Sequence, residues 1–322
     1  MKLYTINKQS EHKGVTVLIK KISVFSYNLS DNTLPNINKI ASNNSCPETT
    51  ETILKTRGFE RPFMDIDQHE EFAVQVGEFV IAMIVIQERK AKRDDVSHKL
   101  AIWKQEMRNG DAPVTRKDER DQRKVIEAEL AKIALPSRNE IEMFIDIKNQ
   151  QIWLTTSSKK EIDEISSLLM SAGISLQAKP FSPVMEENLT EFIKVPNKIA
   201  EDFDLGDKAS LVNEKAIARY TGQDLASSEL ETNVDKCKQV TSAEFEFKKA
   251  IKFSISNTQA LTSIKYDKDA VIEMLEYEVE DGDLLHLAKQ SIRIRLEALN
   301  LLIPNLFSMF DAMDESGGFE IS

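Results

Sequence analysis

Between Ala243 and Ile255 the chain alternates with a period of two. Phe245, Phe247, Ile251, Phe253 and Ile255 fall on one side, and Glu244, Glu246, Lys252 and Ser254 on the other. Aromatic and β-branched residues at that period describe strands with one buried and one wet face, which an antiparallel sheet provides. A shorter alternation runs from Leu261 to Tyr266. Ahead of both lies the turn Tyr220-Thr221-Gly222-Gln223-Asp224, where Gly frees the backbone and Asp tolerates a cap or turn. A short helix is expected after it, with Asp224 or Ser227 as N-cap and Glu229 and Glu231 in its first turns. The wet side carries Lys248, Lys249, Lys252 and Lys265, so the sheet has one greasy face and one that can meet a polyanion.

The rest of the chain supplies the packing partners. Val15–Leu29 alternates as one or two strands, and Leu34, Ile37 and Ile40 keep helical spacing before a loop. Gly58-Phe59-Glu60-Arg61-Pro62 reads as a turn. Phe72–Gln87 reads as a strand, a Gly77-Glu78 turn and an apolar strand, FVIAMIVI, central in a sheet. Glu140–Asp146 and Ile152–Thr155 form a hairpin, and Ser157 or Ser158 caps a helix that Gly173 ends. Lys179–Pro183 marks a boundary, and Leu189–Lys194 is a short helix. Val271–Glu280 is expected to be an acidic helix, Ser291–Leu296 (SIRIRL) a strand, and Glu297–Met313 an apolar helix bent or started by Pro304. The expectation is an α+β protein of antiparallel sheets with packed helices.

One segment has a different texture. Arg89–Arg138 holds fourteen Lys and Arg against nine Asp and Glu, +5 in a chain whose net charge is −11, so everything else sums to −16. Two helical runs flank a breaker at Asn109–Pro113. A solvated helical hairpin and an arm that contacts nucleic acid or a partner both fit it.

Most catalytic signatures are missing from the sequence. There is no Gly-x-Gly-x-x-Gly, Walker A, Gly-x-Ser-x-Gly, His-Glu-x-x-His or paired Cys-x-x-Cys. His12, His69, His98 and His286 are scattered. Asp65, Asp67, His69, Glu70 and Glu71 could hold a divalent ion, although acidic loop residues are more often simply solvated. No cofactor and no metal are expected. Phe25, Phe72, Phe79, Phe144, Trp153, Phe245, Phe247 and Phe253 lie on alternating strands and read as core rather than stacking platforms. Arg293 and Arg295 are read as interface ion-pair donors or as phosphate contacts. Cys46 and Cys237 make no framework. The longest apolar run, Phe79–Ile86, is far short of the roughly 20 residues of a spanning helix, and Met1-Lys2-Leu3-Tyr4 leads into polar residues rather than a secretory signal. A cytoplasmic, membrane-free location is expected.

In order and spacing these pieces resemble the RdgC family over roughly residues 20–313. The resemblance rests on KKISVFSYNL, GFERP, the ERK junction into a charged helical pair, ALPSR before EMFIDIKNQQIWL, SSKKEIDEISSLL, and ARYTGQDL followed by KCKQVTSAEFEFKKAIKFS and LTSIKY. It implies a horseshoe-shaped protomer that pairs into a ring around duplex DNA, binds with little sequence preference and restrains RecA-type strand exchange. It also implies a division into an extension at 1–14, a discontinuous central domain at 15–88 and 139–195, a projecting helical-hairpin tip at 89–138 and a base domain at 196–322. The DNA contacts it implies, with the strand lysines, are Arg219, Gln223, Lys238, Lys248, Lys249, Lys252 and Lys265. The tip or dimer contacts are Arg116, Lys117, Arg120, Pro136 and Arg138. Gly222 stands where the family has a lysine, and Leu135-Pro136-Ser137-Arg138 is shorter than the family's tip motif and lacks its aromatic.

The expected partners are double-stranded DNA, with single-stranded DNA as an alternative, a second copy of the chain, and a RecA-type recombinase or its filament. The expected location is on the nucleoid, and the expected role is non-enzymatic. Two rivals remain: a metal-dependent DNA exonuclease using Asp65, Asp67 and Glu70, and an acidic inhibitor that binds a recombination enzyme.

Overall fold

The computed structural model describes residues 19–28, 36–63, 70–110, 113–213, 216–223, 225, 232, 234 and 238–316. Within them the chain is α+β. The elements run β1 (Ile22–Asn28), α1 (Ile37–Asn43), β2 (Lys55–Glu60), β3 (Ala73–Val76), β4 (Phe79–Glu88), α2 (Arg93–Asn109), α3 (Arg116–Ile133), β5 (Ser137–Asp146), β6 (Gln151–Leu154) and α4 (Lys159–Ser171). They continue with β7 (Ser175–Ala178), α5 (Met185–Lys194), a single 3-10 turn (Pro196–Lys198), β8 (Phe203–Asn213), β9 (Ala216–Thr221), β10 (Gln239–Phe247), β11 (Ile251–Ser256), β12 (Ala260–Tyr266), α6 (Lys268–Met274) and α7 (Leu284–Ser316). All named strand pairings are antiparallel, in the order β2-β4-β5-β6-β1-β12-β11-β10-β8-β9, with β3 beside β4 and β7 beside β1.

β1 joins two halves of this sheet. Ser23–Ser26 pair with β6 on one edge. On the other edge Ile22 and Ser23 pair with Leu261 and Ala260 of β12, while Phe25–Asn28 pair with β7. Its two faces feed different cores, as alternation requires. Phe25 and Tyr27 join Ile84, Met143, Ile152 and the apolar sides of α1 and α4. Ile22 and Val24 join Phe79, Phe144 and Trp153 in a larger core shared with α5, α7 and the β8–β12 half. The FVIAMIVI strand is central, paired along its length with β5 on one side and with β2 and β3 on the other. Ser158 caps α4 through Glu161 N–H, and Gly173 follows it at φ +82°. α2 and α3 pack on each other through Val96, Leu100 and Ile126, a small core separate from the other two.

Three local expectations are overturned. Gly58–Glu60 lie inside β2, not in a turn. The segment Ser45–Cys46 passes so close that a Cβ on Gly58 would sit 2.5 Å from the Cys46 backbone. The glycine thus marks a close backbone approach inside a strand. Ser291–Leu296 is not a strand but one and a half turns inside α7. Its alternation is a short sample of a helical stripe in which Ile292, Leu296, Leu299, Ile303, Leu306 and Phe310 are buried. The acidic helix stops at Met274, before the glutamates at 276, 278 and 280. The N-terminal extension, the tail after Ser316 and most of the helix expected after Asp224 lie outside the described residues, although Thr232 and Val234 are described and helical.

Candidate nucleic-acid interface

The β8–β12 half has the two faces that the alternation demands. Phe203, Ala209, Leu211, Ala243, Phe245, Phe247, Ile251, Phe253, Ile255 and Leu261 are buried beneath α5 and α7. Phe192 of α5 meets Phe245 edge-on at 6.0 Å and Phe310 of α7 at 5.6 Å. Complete coverage of one face leaves the other for water or a ligand.

Strand register fixes what that other face carries. One row runs Asp204 (β8), Glu246 (β10), Lys252 (β11), Lys265 (β12), each directly opposite the next. Another runs Arg219 (β9), Ser210 (β8), Ser242 (β10), Ser256 (β11). Between them Glu244 faces Ser254, which faces Thr262. The face is therefore built of hydroxyls, cations and carboxylates. The large aromatics of these strands lie on its reverse.

Glu244 departs from expectation. It belongs to the wet face, yet its side chain is fully buried. Opposite it β8 bulges, the pairing shifting between Ala243 and Phe245, and Gly206 lies flat against its stem. A Cβ there would meet Glu244 Oε2 at 2.7 Å. The carboxylate accepts from Asp207 N–H at 3.2 Å and from Lys208 Nζ at 2.7 Å. That bond to Glu244 raises the Lys208 ammonium above the ordinary lysine range.

Of the expected DNA contacts, Arg219, Lys252 and Lys265 come to this face. None makes an ion pair within 4.0 Å among the described residues. Lys248 and Lys249 sit at the β10–β11 turn with left-handed φ of 48° and 57°. Lys249 is exposed, while Lys248 pairs with Asp202 at 3.4 Å and lies over the Phe247 ring. Lys238 is half-buried and precedes β10, at the opposite end of that strand from the turn. Gln223 is exposed just after β9, its N–H and that of Gly222 directed to Asp207 O at 3.5 and 2.9 Å. Gly222 adopts φ +69°, and a Cβ added there would have nothing within 4 Å, so the left-handed backbone and not crowding is what favours glycine at this turn.

Sequence reading missed Lys208 and Asp204. The signal lies in the alternation of Lys208, Ala209, Ser210 and Leu211, a short period-two run inside β8.

The tip candidates do not gather. Arg116, Lys117 and Arg120 are exposed in the first turns of α3. Pro136 and Arg138 follow its other end, about 27 Å away for eighteen helical residues. Arg138 is in β5, paired with Glu60 and 3.8 Å from Glu140. Arg293 pairs with Glu297 at 2.6 Å, and Arg295 turns inward over the Tyr266 ring. Asp65, Asp67 and His69 lie outside the described residues, and Glu70 and Glu71 are exposed. Among the described residues no three His, Cys, Asp or Glu side chains are grouped to hold a metal ion. No described helix is long and apolar enough to cross a membrane.

Comparison with known proteins gives the lineage. The family model described as "Putative exonuclease, RdgC" matches residues 17–313. The chain belongs to the RdgC family. The chain is 28% identical over 196 residues to a recombination-associated protein RdgC of Shewanella halifaxensis, 59% of this chain and 61% of that one. It is 22% identical over 223 residues to the namesake of Colwellia psychrerythraea, 68% of this chain and 71% of that one. The matched stretch thus spans about three fifths of the length of the first of these RdgC relatives.

Proposed function

We propose that this RdgC-family chain takes part in recombination by binding DNA without sequence preference through the polar face of β8–β12, occupying duplex and thereby restraining a recombinase. The observation that carries the reading is Lys252 directly opposite Lys265. Like charges facing each other across a strand pair destabilise a sheet, and neither lysine has an acidic partner within 4.0 Å among the described residues. A phosphate is the anion such a pair suits, and the flanking Ser254 hydroxyl offers a donor to it, whereas the Thr262 hydroxyl donates to Ser254 O at 3.3 Å. Contacts of this kind hold a backbone and read no bases. The names of the relatives link the family to recombination.

Pairing into a homodimer, contact with a RecA-type filament, and a cytoplasmic, nucleoid-associated location belong to the same proposal. The test is a salt titration of duplex binding by fluorescence anisotropy. Affinity is expected to fall steeply with salt, independent of sequence, and to drop at least tenfold in Lys252→Glu/Lys265→Glu, about 1.4 kcal/mol or more. Equal affinity in that variant would place the DNA elsewhere.

The description of the family model motivates one rival, an exonuclease. Mg²⁺-dependent shortening of end-labelled duplex, abolished by Asp65→Asn/Asp67→Asn, would establish it in place of a purely binding role.

A further inference from the structure

The polar face segregates its charges. Asp204 and Glu246 are directly opposite each other on the inner strands β8 and β10. Lys252 and Lys265 are opposite each other on β11 and β12, on the side of the face toward β1. Arg219 stands alone on the far strand, β9. A row arranged for the sheet's own stability would alternate sign, because opposite charges across a strand pair are favourable and like charges are not. Here neither carboxylate forms an ion pair within 4.0 Å among the described residues, although Glu246 faces Lys252 in register. The remaining charges of the middle strands leave one further negative charge, since Glu244 holds Lys208 at 2.7 Å and Asp207 lies 3.6 Å from the same ammonium. The face is therefore cationic, then acidic, then cationic across the sheet. Arg219 and Lys252 are three strand steps apart, about 14 Å sideways at the usual spacing, and are further offset along the strands.

We infer that Asp204 and Glu246 form an anionic divide that keeps phosphate off the centre of the face, so that the two backbones of a duplex rest on separate flanks, Arg219 on one and Lys252 with Lys265 on the other. This rests on the DNA-binding reading above and adds the residues that decide where phosphates can lie. A carboxylate within a Debye length of a phosphate, about 8 Å at physiological salt, repels it. The divide thus lowers affinity while fixing the position of the duplex.

The test is the full chain carrying Asp204→Asn/Glu246→Gln, which removes both charges and keeps both shapes, with Glu246→Gln alone as the milder variant. Anisotropy with a mixed-sequence duplex is measured across a range of salt. The double variant is expected to bind about three- to tenfold tighter, with Glu246→Gln in between. Its salt slope should steepen by about one, because a newly admitted phosphate contributes about 0.9. Unchanged or weaker binding overturns the divide. So does tighter binding at an unchanged slope, which would mean a diffuse charge effect with no phosphate admitted. Lys252→Gln/Lys265→Gln, run alongside, separates the two levels. If it weakens binding while the acidic variants do not tighten it, only the divide fails. If it leaves binding unchanged, the DNA-binding reading fails and takes the divide with it.

Discussion

Glu244 and Lys208 form an asymmetric pair: the carboxylate is fully buried, the lysine side chain is 40% exposed, and 2.7 Å separates them. The two ends should therefore respond differently to substitution. Lys208→Met strips the counter-ion from a buried carboxylate and is expected to cost about 3 kcal/mol. Glu244→Gln keeps an acceptor for the Asp207 N–H and lets Lys208 return to water, so about 1 kcal/mol is expected. Urea denaturation of the two variants decides it. Equal costs, or the reverse order, would show that the carboxylate is not held by the lysine.

The same carboxylate depends on a missing side chain. A Cβ at Gly206 would lie 2.7, 2.8 and 2.9 Å from Glu244 Oε2, Cγ and Cβ, below any normal contact. Gly206→Ala is predicted to destabilise by about 1–3 kcal/mol through overpacking. Shortening the opposing side chain should relieve the clash, so Gly206→Ala/Glu244→Ser should cost less than the sum of its single changes. Strict additivity in that cycle would rule out the direct contact.

Tyr266 presents the opposite case, a buried polar atom that no described residue bonds. Its hydroxyl is buried without a hydrogen-bond partner among the described residues, and burial pushes its pKa well above the usual tyrosine value of 10. Removing an unsatisfied buried hydroxyl is neutral or favourable. Tyr266→Phe is predicted to raise stability by up to about 1 kcal/mol at neutral pH. The sign with pH follows from linkage. The raised folded-state value gives a contribution fully present below pH 10 and lost as pH climbs from there toward the folded-state value, because the unfolded chain ionises first. The variant should therefore lose less stability than the parent between neutrality and pH 11. A lowered melting temperature, or an unaltered alkaline slope, would show that the hydroxyl is satisfied in solution.

These cases show what sequence alone could reveal. The apolar side of Phe245, Phe247, Ile251, Phe253 and Ile255 was legible because period two is a local property of the chain, and all five are buried. Ser158 as a cap and the central FVIAMIVI strand were legible for the same reason. The burial of Glu244 was not, because it depends on a bulge in β8, a strand some forty residues earlier. Nor was the segregation of charge, which exists only once β8, β10, β11 and β12 are in register. Ser291–Leu296 misled because six residues are too few to separate two periods, whereas the buried stripe from Ile292 to Phe310 is unambiguous. The candidate lysines were individually visible. Which of them are committed, as Lys248 is to Asp202, is a matter of distant contacts.

Arg89 links the helical pair to the sheet, and the strength of that link can be measured. Its Nη1 donates to Lys132 O at 3.1 Å and Ala134 O at 3.0 Å, at the end of α3, where carbonyls lack helical donors. Its Nε and Nη2 donate to Thr49 Oγ1 at 2.9 Å and Thr49 O at 3.2 Å. One guanidinium thus ties the last turn of α3 to the segment before β2. A lysine keeps the charge but not the planar fork. The α2–α3 pair has its own small core of Val96, Leu100 and Ile126, so it can loosen as a unit without exposing the two larger cores. Arg89→Lys and Arg89→Met are both predicted to speed amide exchange across residues 93–133 by about tenfold or more, equivalent to about 1.4 kcal/mol of local opening. Amides of β4, β5 and β6 should keep their protection. Faster exchange spread evenly over sheet and helices would mean that the pair is an integral part of one cooperative unit and that Arg89 is not its tether.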